Sequence, residues 1–416
     1  MAANQLSPGV VVQERDLTTI TTASTANVGL MAAPFELGPV EQIIEIGSER
    51  ELVDQFGKPN DYNYEYWYSA SQFLSYGGVL KTVRVDSTTL KNGVSNGTAV
   101  KIKNLDNYEQ TYEDATNAWF YGARTAGTKG NSIGIFVTDS GADQIAILPA
   151  PGSGNEWNFV ADEALSASSG AAGKVFKYSV VLTVDTIVGD FTPGTSTTIA
   201  IGGSNETIDV LAWDPANKKL EIGIPSAGVT GIIADDQVVT QGSNTAAVNV
   251  GIERRLYIAK NKSSVDFAPA DSLQDTNSNA VAVSAVRVDY AEREYLPGSK
   301  WINVAARPET SLYASNAGGF RDEVHVLVVD IDGKITGTTG ALLERFVGLS
   351  KASDAKTSVG ETNYYKEVIK QKSEYIYWGK HETGVFNATS TASDGNWGQT
   401  AASRQFNLLR SSTGST

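Results

Sequence analysis

Residues 48–59, SERELVDQFGKP, decide the fold of the first part of the chain, because they hold the clearest start and end signals of a helix. The serine and the second glutamate form a capping box, in which each side chain accepts a hydrogen bond from a backbone amide near the helix start. Leu52, Val53 and Phe56 then follow at helical spacing. The Gly-Lys-Pro that comes next predicts the end of the helix, because proline cannot continue it.

The surrounding residues 28–86 predict a compact α/β unit with the order strand, helix, helix, strand. Val40–Ile46 predicts the strand before the first helix. A second helix from Tyr64 to Tyr76 places its large apolar side chains on one stripe and ends at a glycine pair. Leu80–Val85 predicts the closing strand.

Strand patterns dominate the later part of the chain. Residues 23–140 and 283–386 are predicted to form the core domains, which the chain enters twice. Within the second stretch, Val324–Val329 is a strongly apolar strand, and the Asp-Gly that follows predicts a hairpin turn into Lys334-Ile335. Trp301–Ala306 is predicted as a further strand.

Residues 141–282 have a different texture, with short apolar runs separated by Gly, Ser, Asn and Pro. Such spacing predicts an inserted domain made only of strands. The fold class that we predict is therefore α+β, multidomain and β-rich. It consists of an α/β core domain, an inserted all-β domain and an extended N-terminal arm.

The arm is predicted over residues 1–22. Ser7-Pro8-Gly9 is a turn or extended signal, and a short strand follows it. Residues 17–27 are rich in Thr, Ser and Ala and give this strand no adjacent hairpin partner, so its backbone must pair elsewhere. An edge strand of its own domain is the other interpretation. The residues of the strand are Gly9, Val10, Val11, Val12, Gln13 and Glu14.

The composition excludes several kinds of catalytic and metal-binding site. The 416 residues include no cysteine and only two histidines, so thiolate sites and multi-histidine metal sites are excluded. The formal net charge is −14, which repels phosphate backbones and argues against direct nucleic-acid binding. No apolar run approaches the length of a membrane helix, so membrane insertion is not expected, and the first nine residues show no signal peptide.

Three segments match known functional motifs only in part, and the residues around them do not suit the function of the motif. Residues 93–97 match G-x-S-x-G, but the elbow needs a strand before it and a helix after it. Gly122–Lys129 differs from a phosphate-binding loop, because a threonine separates the second glycine from the lysine. Asp330–Gly333 resembles the start of a calcium loop, but Ala341 stands where the loop needs glutamate. We therefore predict no catalytic residue, no cofactor and no metal site.

Several segments together resemble the tail sheath proteins of contractile-tailed bacteriophages, in order and spacing. Among these proteins the chain is most similar to the sheaths of large phages that infect cyanobacteria. The segments are Leu6-Ser7-Pro8-Gly9-Val10 with Glu14, Gly38-Pro39, Phe56-Gly57-Lys58-Pro59, Phe73-Leu74, Tyr76-Gly77-Gly78, Val83-Arg84-Val85, Ala123-Arg124, Gly127, Gly130-Asn131-Ser132, Val328-Val329-Asp330, Thr336-Gly337, Leu343-Glu344-Arg345-Phe346 and Leu349-Ser350.

The resemblance implies a structural protein of the virion and not an enzyme. Sheath subunits form a helical homo-polymer around the tail tube and contract to drive the tube through the host envelope. The implied partners are other copies, the tail tube protein, and the baseplate and tail terminator proteins, with assembly in the host cytoplasm. The inserted domain is expected to face outward, and residues 9–14 to exchange between subunits as a strand.

The resemblance also leaves two points open. Residues 387–416 look like a linker toward a C-terminal tube-binding domain, which family members have and this chain lacks. The alternative function is that of a receptor- or carbohydrate-binding β-rich virion protein. The tyrosine and tryptophan residues of the insert, clustered as an aromatic platform, would favour that alternative.

Overall fold

The computed structural model describes residues 27–95, 97–152, 154–201, 204–261, 263–276 and 279–381, and a strand at 404–407. The chain divides into two compact units, residues 1–88 and 89–416, which we call the N-terminal unit and the large unit. The predicted arm lies outside the described residues, as does the predicted linker apart from its strand.

The N-terminal unit is a three-stranded sheet with two helices on one face. Its strands run in the order β1-β3-β2, with β1 parallel and β2 antiparallel to β3. Leu52, Phe56, Trp67 and Leu80 belong to the core between the two layers. The elements are β1 (Val28–Ala33), β2 (Ile43–Ile46), α1 (Glu49–Phe56), α2 (Tyr64–Ser75) and β3 (Val79–Arg84).

The predicted signals of this unit are confirmed in detail. The Ser48 hydroxyl accepts a hydrogen bond from the Glu51 amide at 3.2 Å, and the Glu51 carboxylate accepts one from the Gly47 amide at 2.8 Å. Gly57 ends α1 with a φ of 82°, which an L side chain rarely adopts. The strand before α1 is shorter than predicted, because β2 begins only at Ile43.

The large unit contains the remaining elements. In chain order they are α3 (Leu105–Thr111), β4 (Tyr121–Ala123), β5 (Ile133–Asp139), β6 (Gln144–Leu148), β7 (Ala164–Ala167), β8 (Ala172–Val188), β9 (Ser196–Ile201), β10 (Ser204–Asp214), β11 (Lys219–Gly223), β12 (Val238–Gln241), β13 (Asn244–Lys260), β14 (Ser272–Asp275), β15 (Ala280–Ala282), β16 (Ala285–Val288), α4 (Asp289–Glu292), β17 (Glu294–Leu296), β18 (Ser299–Lys300), α5 (Leu312–Asn316), β19 (Glu323–Asp330), β20 (Ala341–Ser350), α6 (Tyr365–Lys372), β21 (Ile376–Trp378) and β22 (Arg404–Asn407).

Six of these strands close into an antiparallel barrel. The order is β8-β11-β10-β9-β12-β13, and β13 pairs back with β8. Both of the strands that close the barrel are 17 residues long. Closure removes the open edges that an isolated sheet of this size would present. The secondary-structure elements described between residues 144 and 282 are all β-strands. The prediction of a β-rich fold is confirmed.

A second, four-stranded sheet forms the core beside the barrel, in the order β20-β19-β5-β22. All seven residues of β5 are buried. Val324, Val326 and Val328 of β19 pack into one apolar cluster, while Leu327 and Val329 pack into another on the opposite face. The two central strands are therefore covered on both sides, which explains why they are so apolar.

Two predictions for this region are wrong. Residues predicted as a strand from Trp301 begin instead with a short 3₁₀ helix, Trp301–Asn303, whose tryptophan is completely buried. The predicted hairpin return at Lys334-Ile335 is a loop, and the return strand begins at Ala341. The carboxylate of Asp330 holds this loop by accepting hydrogen bonds from the amides of Ile335 at 3.0 Å and Thr336 at 2.7 Å.

A polar junction connects the barrel strands to the core sheet. Arg293 donates hydrogen bonds to the Asp289 carboxylate and to the carbonyls of residues 139, 140 and 142. Arg307 and Arg321 both bind the Asp143 carboxylate, at 2.8 and 2.7 Å. Charged groups at this spacing fix the backbone strongly. The barrel is therefore braced on the core sheet.

Candidate functional site: strand edges and exposed faces

Metal-ligating side chains do not cluster in the described part of the chain. No group of three or more His, Asp or Glu side chains in this part of the chain could hold a metal ion. His325 is buried and fully engaged: its Nε2 lies 2.8 Å from the Ala306 carbonyl, and its Nδ1 accepts from the Gly348 amide at 3.0 Å. The Ser95 hydroxyl accepts hydrogen bonds from the backbone amides of Phe120 and Tyr121, both at 3.0 Å, and is therefore held against the start of β4.

The other features that bear on function are surfaces that could contact other proteins. No helix of the described chain has both the length and the apolar character needed to cross a membrane. Surfaces that recruit other protein chains show unpaired strand edges, or apolar and aromatic side chains in solvent. Strand edges are compared in two of the sheets: β1 and β2 in the N-terminal unit, and β20 and the β22 side of β5 in the core sheet of the large unit.

The edge of β5 is occupied by a strand from far along the same chain. β22 pairs antiparallel with β5, with Arg404 opposite Val137 and Asn407 opposite Gly134. Twenty-two residues separate this strand from His381, the last residue described in the core. A distant C-terminal segment is thus held to the core sheet by backbone hydrogen bonds.

The edge of β20 is irregular. Its pairing with β19 shifts register twice, and Gly348 within it has a φ of 66°. Beside it, the Glu344 carboxylate accepts hydrogen bonds from the Ser373 hydroxyl and the Glu374 amide, both at 2.6 Å, and burial raises the pKa of Glu344. Bulges and a covering loop are devices that stop an edge from recruiting another strand.

The edge of β1 has neither a bulge nor a covering loop among the described residues. Its sequence VGLMAA contains no charge and no proline, and its pairing with β3 is regular over all six residues. Val28 is 58% exposed and Leu30 is 77% exposed. Among the residues that the structure describes, no strand pairs with the outer side of β1. By contrast, β2 is only four residues long and carries Glu45.

The helix α2 carries little charge and exposes tyrosines on two flanks, because Tyr66 lies about half a turn around the helix from Tyr64 and Tyr68. Tyr64, Tyr66 and Tyr68 are each about half exposed, and Glu65 is the only charged residue in the helix. Tyr62 and Tyr76 flank the helix and are more exposed still. Tyrosine is enriched and charge is depleted in the centres of protein interfaces. This composition favours contact with another protein surface.

The barrel, by contrast, offers no aromatic platform among its described residues. Phe159, Tyr178, Phe191, Tyr257 and Phe267 are buried. The indole of Trp157 donates to the Pro149 carbonyl, and Trp213 packs edge-on against Phe191. A clustered aromatic platform is the feature that would favour sugar binding. The geometry therefore gives no support to the carbohydrate-binding alternative.

The predicted strand-exchange residues, Gly9, Val10, Val11, Val12, Gln13 and Glu14, lie outside the described residues, and their role stays a prediction. Sequence reasoning missed the open edge of β1. The signal was present, because Val28–Ala33 is an apolar run without the charged residues or proline that usually protect edge strands. Only the order of strands in the sheet shows that β1 lies at an edge.

Comparison with known proteins gives relatives of one kind. The chain is 26% identical over 385 residues to the tail sheath protein of Salmonella phage ViI, covering 89% of the chain. It is 32% identical over 158 residues to the tail sheath protein of Vibrio phage KVP40, and 36% identical over 88 residues to that of Enterobacteria phage T4. No family model matches the chain.

The predicted resemblance to phage tail sheath proteins is therefore confirmed. The chain spans about half the length of the Salmonella phage protein, since the aligned region covers 49% of it. The aligned regions cover 22% and 13% of the other two. The expected similarity to cyanophage sheaths stays a prediction.

Proposed function

We propose that this chain is a structural subunit of a contractile phage tail sheath, without catalytic activity. In this role it polymerises helically around the tail tube, and the polymer contracts to drive the tube through the host envelope. The proposed partners are other copies of the chain, the tail tube protein, and the baseplate and tail terminator proteins. The sheath is part of the virion and assembles in the host cytoplasm.

The observation that carries this proposal is the pairing of β22 with β5. It places a C-terminal segment, linked to the core through 22 residues, as an added strand on the core sheet. A connection of that length spans at most about 70–80 Å when extended. The same ladder can then form within one copy or between neighbouring copies, as in domain swapping. Terminal segments that pair in this way are suited to joining subunits.

The N-terminal residues 9–14 are the second proposed link. Six extended residues span about 20 Å. Each backbone hydrogen bond in the added ladder contributes about 0.5–1.5 kcal/mol, and valine burial adds about 25 cal/mol per Å² of apolar surface. Backbone pairing depends little on how rigid domains are oriented, so such a tether persists while the domains dock again in a second arrangement.

Head-to-tail joining explains why a polymer forms and not a closed pair. Each copy gives a strand from its terminus and receives one at a different place, so the interface is heterologous. The copies at the two ends of the chain of subunits keep an unused donor or acceptor, so further copies can be added. Contraction then requires two packings of one folded subunit. The ion pairs of Arg293 with Asp289, and of Arg307 and Arg321 with Asp143, would help to keep the subunit folded during such a change.

The test is assembly of the full chain and of a variant that lacks residues 1–14. We expect the full chain to form helical tubes on concentration, observed by negative-stain electron microscopy. The variant is expected to keep the circular dichroism spectrum and melting temperature of the full chain but to sediment as a monomer. Normal tubes from the deletion variant would contradict the proposed role of the arm. Absence of tubes from the full chain would contradict polymerisation.

A further inference from the structure

We propose that the side chains of Lys351 and Asp139 condense to form an isopeptide bond, a covalent modification that ties the core sheet of the large unit together. The inference goes beyond the proposed function and does not depend on it. Lys351 Nζ lies 2.8 Å from Asp139 Oδ2, and neither side chain is exposed to solvent. An amine and a carboxyl group that are held in contact away from water are the reactants of amide formation.

The two residues lie on either side of a buried strand. Asp139 is the last residue of β5, and Lys351 directly follows β20. β5 and β20 pair with opposite sides of β19, so a bond between the two side chains would cross the central strand. The residues are 212 positions apart in the chain. The bond would therefore close a covalent ring that contains all the barrel strands, residues 172–260.

Burial favours the uncharged forms of both groups, which are the forms that react. A low-dielectric interior disfavours charge, and burial raises the pKa of the Asp139 carboxyl. Proton transfer along the hydrogen bond from Lys351 to Asp139 gives a neutral amine beside a neutral carboxylic acid. The neutral amine is the nucleophile, and a carboxylic acid is a better electrophile than a carboxylate. A proton shift within the pair thus produces both reactants.

Two groups beside the carboxyl carbon stabilise negative charge. Asp139 Oδ1 accepts a hydrogen bond from the Gly141 amide at 3.0 Å, a distance suited to an oxyanion donor. The Arg293 guanidinium donates to the Asp139 backbone carbonyl at 2.5 Å, and its positive charge favours negative charge on the Asp139 side chain. Attack of Nζ on Cγ places such charge on Oδ1. The Gly141 amide and Arg293 are therefore positioned to stabilise the tetrahedral intermediate.

The condensation needs no further reactant. Lys351 Nζ forms a bond to Asp139 Cγ and gives one of its two protons to the hydroxyl at Oδ2. The Cγ–Oδ2 bond breaks with its electron pair moving to oxygen, and one water molecule leaves. Well-oriented groups within one molecule react as if at an effective concentration of about 10⁵–10⁸ M. Exclusion of bulk water also protects the amide product from hydrolysis.

The proton is relayed by the pair itself, which limits the rate. Asp322 is a buried carboxylate close to the pair, and its backbone carbonyl accepts from the Lys351 amide at 2.9 Å. Its side chain is already engaged by the hydroxyls of Ser311 and Ser350. We therefore expect condensation to be slow compared with folding. Freshly purified chain keeps the ion pair, and the bond accumulates while the folded chain is stored.

Peptide mapping by mass spectrometry tests the inference on the unmodified chain. The chain is stored folded at neutral pH for several weeks, then unfolded, digested with trypsin and compared with fresh chain. The bond blocks cleavage after Lys351, so trypsin should release residues 130–174 joined to residues 346–356. This species is lighter by one water molecule than the two peptides together. We expect its yield to rise several-fold between fresh and stored chain.

Three controls separate this bond from other reactions. Lys177 and Glu221 form an ion pair of 3.1 Å in which the lysine side chain is 35% exposed, and their peptides should stay separate because hydration keeps both groups charged. Chain stored unfolded in guanidinium chloride should give no joined species, because the reacting groups are no longer held in contact. Lys351→Arg keeps a cation beside Asp139 but removes the amine, and it should also give none.

Three results would overturn the inference. The first is absence of the joined species from chain that was stored folded. The second is an equal yield from chain that was stored unfolded. The third is a loss of water that maps only to Asp332-Gly333, where succinimide formation releases the same molecule. None of these results bears on tube formation, so the proposed function would stand in each case.

Discussion

Lys351 and Asp139 form an ion pair that is completely buried in the core of the large unit, with Nζ 2.8 Å from Oδ2. Asp139 is the last residue of β5 and Lys351 directly follows β20, so the pair joins two strands that flank β19. The second oxygen of Asp139 accepts a hydrogen bond from the Gly141 amide at 3.0 Å. Burial raises the pKa of Asp139, and Lys351 opposes this shift.

Loss of one partner of this pair is expected to be costly. Lys351→Met leaves the Asp139 carboxylate buried without its ion-pair partner, and such changes destabilise by about 3–5 kcal/mol. The free energy of unfolding, measured in urea, should fall by that amount. Asp139→Asn combined with Lys351→Met is the control, because it removes both charges, and it should recover most of the loss. A single variant as stable as the unmodified chain would show that the pair is not needed.

A second buried pair joins barrel strand β13 to the segment between β6 and β7. Arg254 of β13 donates to both oxygens of Glu156, with Nε 2.8 Å from Oε2. Glu156 also accepts from the Ile233 amide at 2.9 Å. Glu156→Ala should speed hydrogen exchange at Ile233 and lower stability by about 3–5 kcal/mol, since the guanidinium stays buried.

The matched control for this prediction is Arg50→Ala. Arg50 and Asp54 form a pair on α1 in which both side chains are mostly exposed. Exposed pairs contribute about 0–1 kcal/mol, so this variant should leave the melting temperature nearly unchanged. Equal effects of Arg50→Ala and Glu156→Ala would contradict the importance given to burial.

His381 makes the stability of the large unit depend on pH. Its ring nitrogens contact the hydroxyls of Tyr364 and Tyr365, and it packs against Trp378. Burial, assisted by the charge of Lys366, lowers the pKa of His381 to about 4. The ordinary value of about 6.5 applies to the unfolded chain. Between these values only the unfolded chain takes up the proton, so stability falls as the pH falls through this window.

The measurement is the melting temperature at pH 7 and at pH 4.5. The unmodified chain should lose more between these two values than His381→Gln, whose side chain does not titrate. Lys366→Met removes the neighbouring positive charge and should also reduce the loss, because the pKa of His381 then rises. An identical loss in all three proteins would show that another group controls the pH response.

Gly130 is required by close packing. A Cβ at this position would lie 2.7 Å from Ala123 Cβ and 2.9 Å from the Thr125 carbonyl oxygen. Gly130→Ala should destabilise by about 1–3 kcal/mol, as overpacking does. Gly152→Ala is the control, because a Cβ there meets nothing within 4 Å. Chemical denaturation of both variants checks this difference, and equal stabilities would contradict it.

Local signals in the sequence predicted the N-terminal unit well. The capping box at Ser48, the glycine at position 57 and the helical stripe of α2 are short-range features, and the structure confirms each of them. The buried strand β19 was equally clear, because it is covered on both faces and five of its eight residues are Val or Leu. Such elements need no information about distant partners.

Long-range pairings could not be predicted in the same way. β8 extends over Ala172–Val188, but only Val175–Val184 reads as a strand run, because residues toward its ends face solvent. Its pairing with β13 joins segments far apart in the chain. The fourth strand of the core sheet, Arg404–Asn407, lies in a stretch rich in Ser, Thr, Ala and Gly that gave no strand signal. The open edge of β1 likewise depends on sheet order.

Helical reconstruction of the assembled full chain by cryo-electron microscopy tests the central claim most directly. The account predicts that backbone density for residues 9–14 of one copy continues a sheet of a neighbouring copy at hydrogen-bonding distance. Tubes in which every sheet is built from a single copy would contradict it.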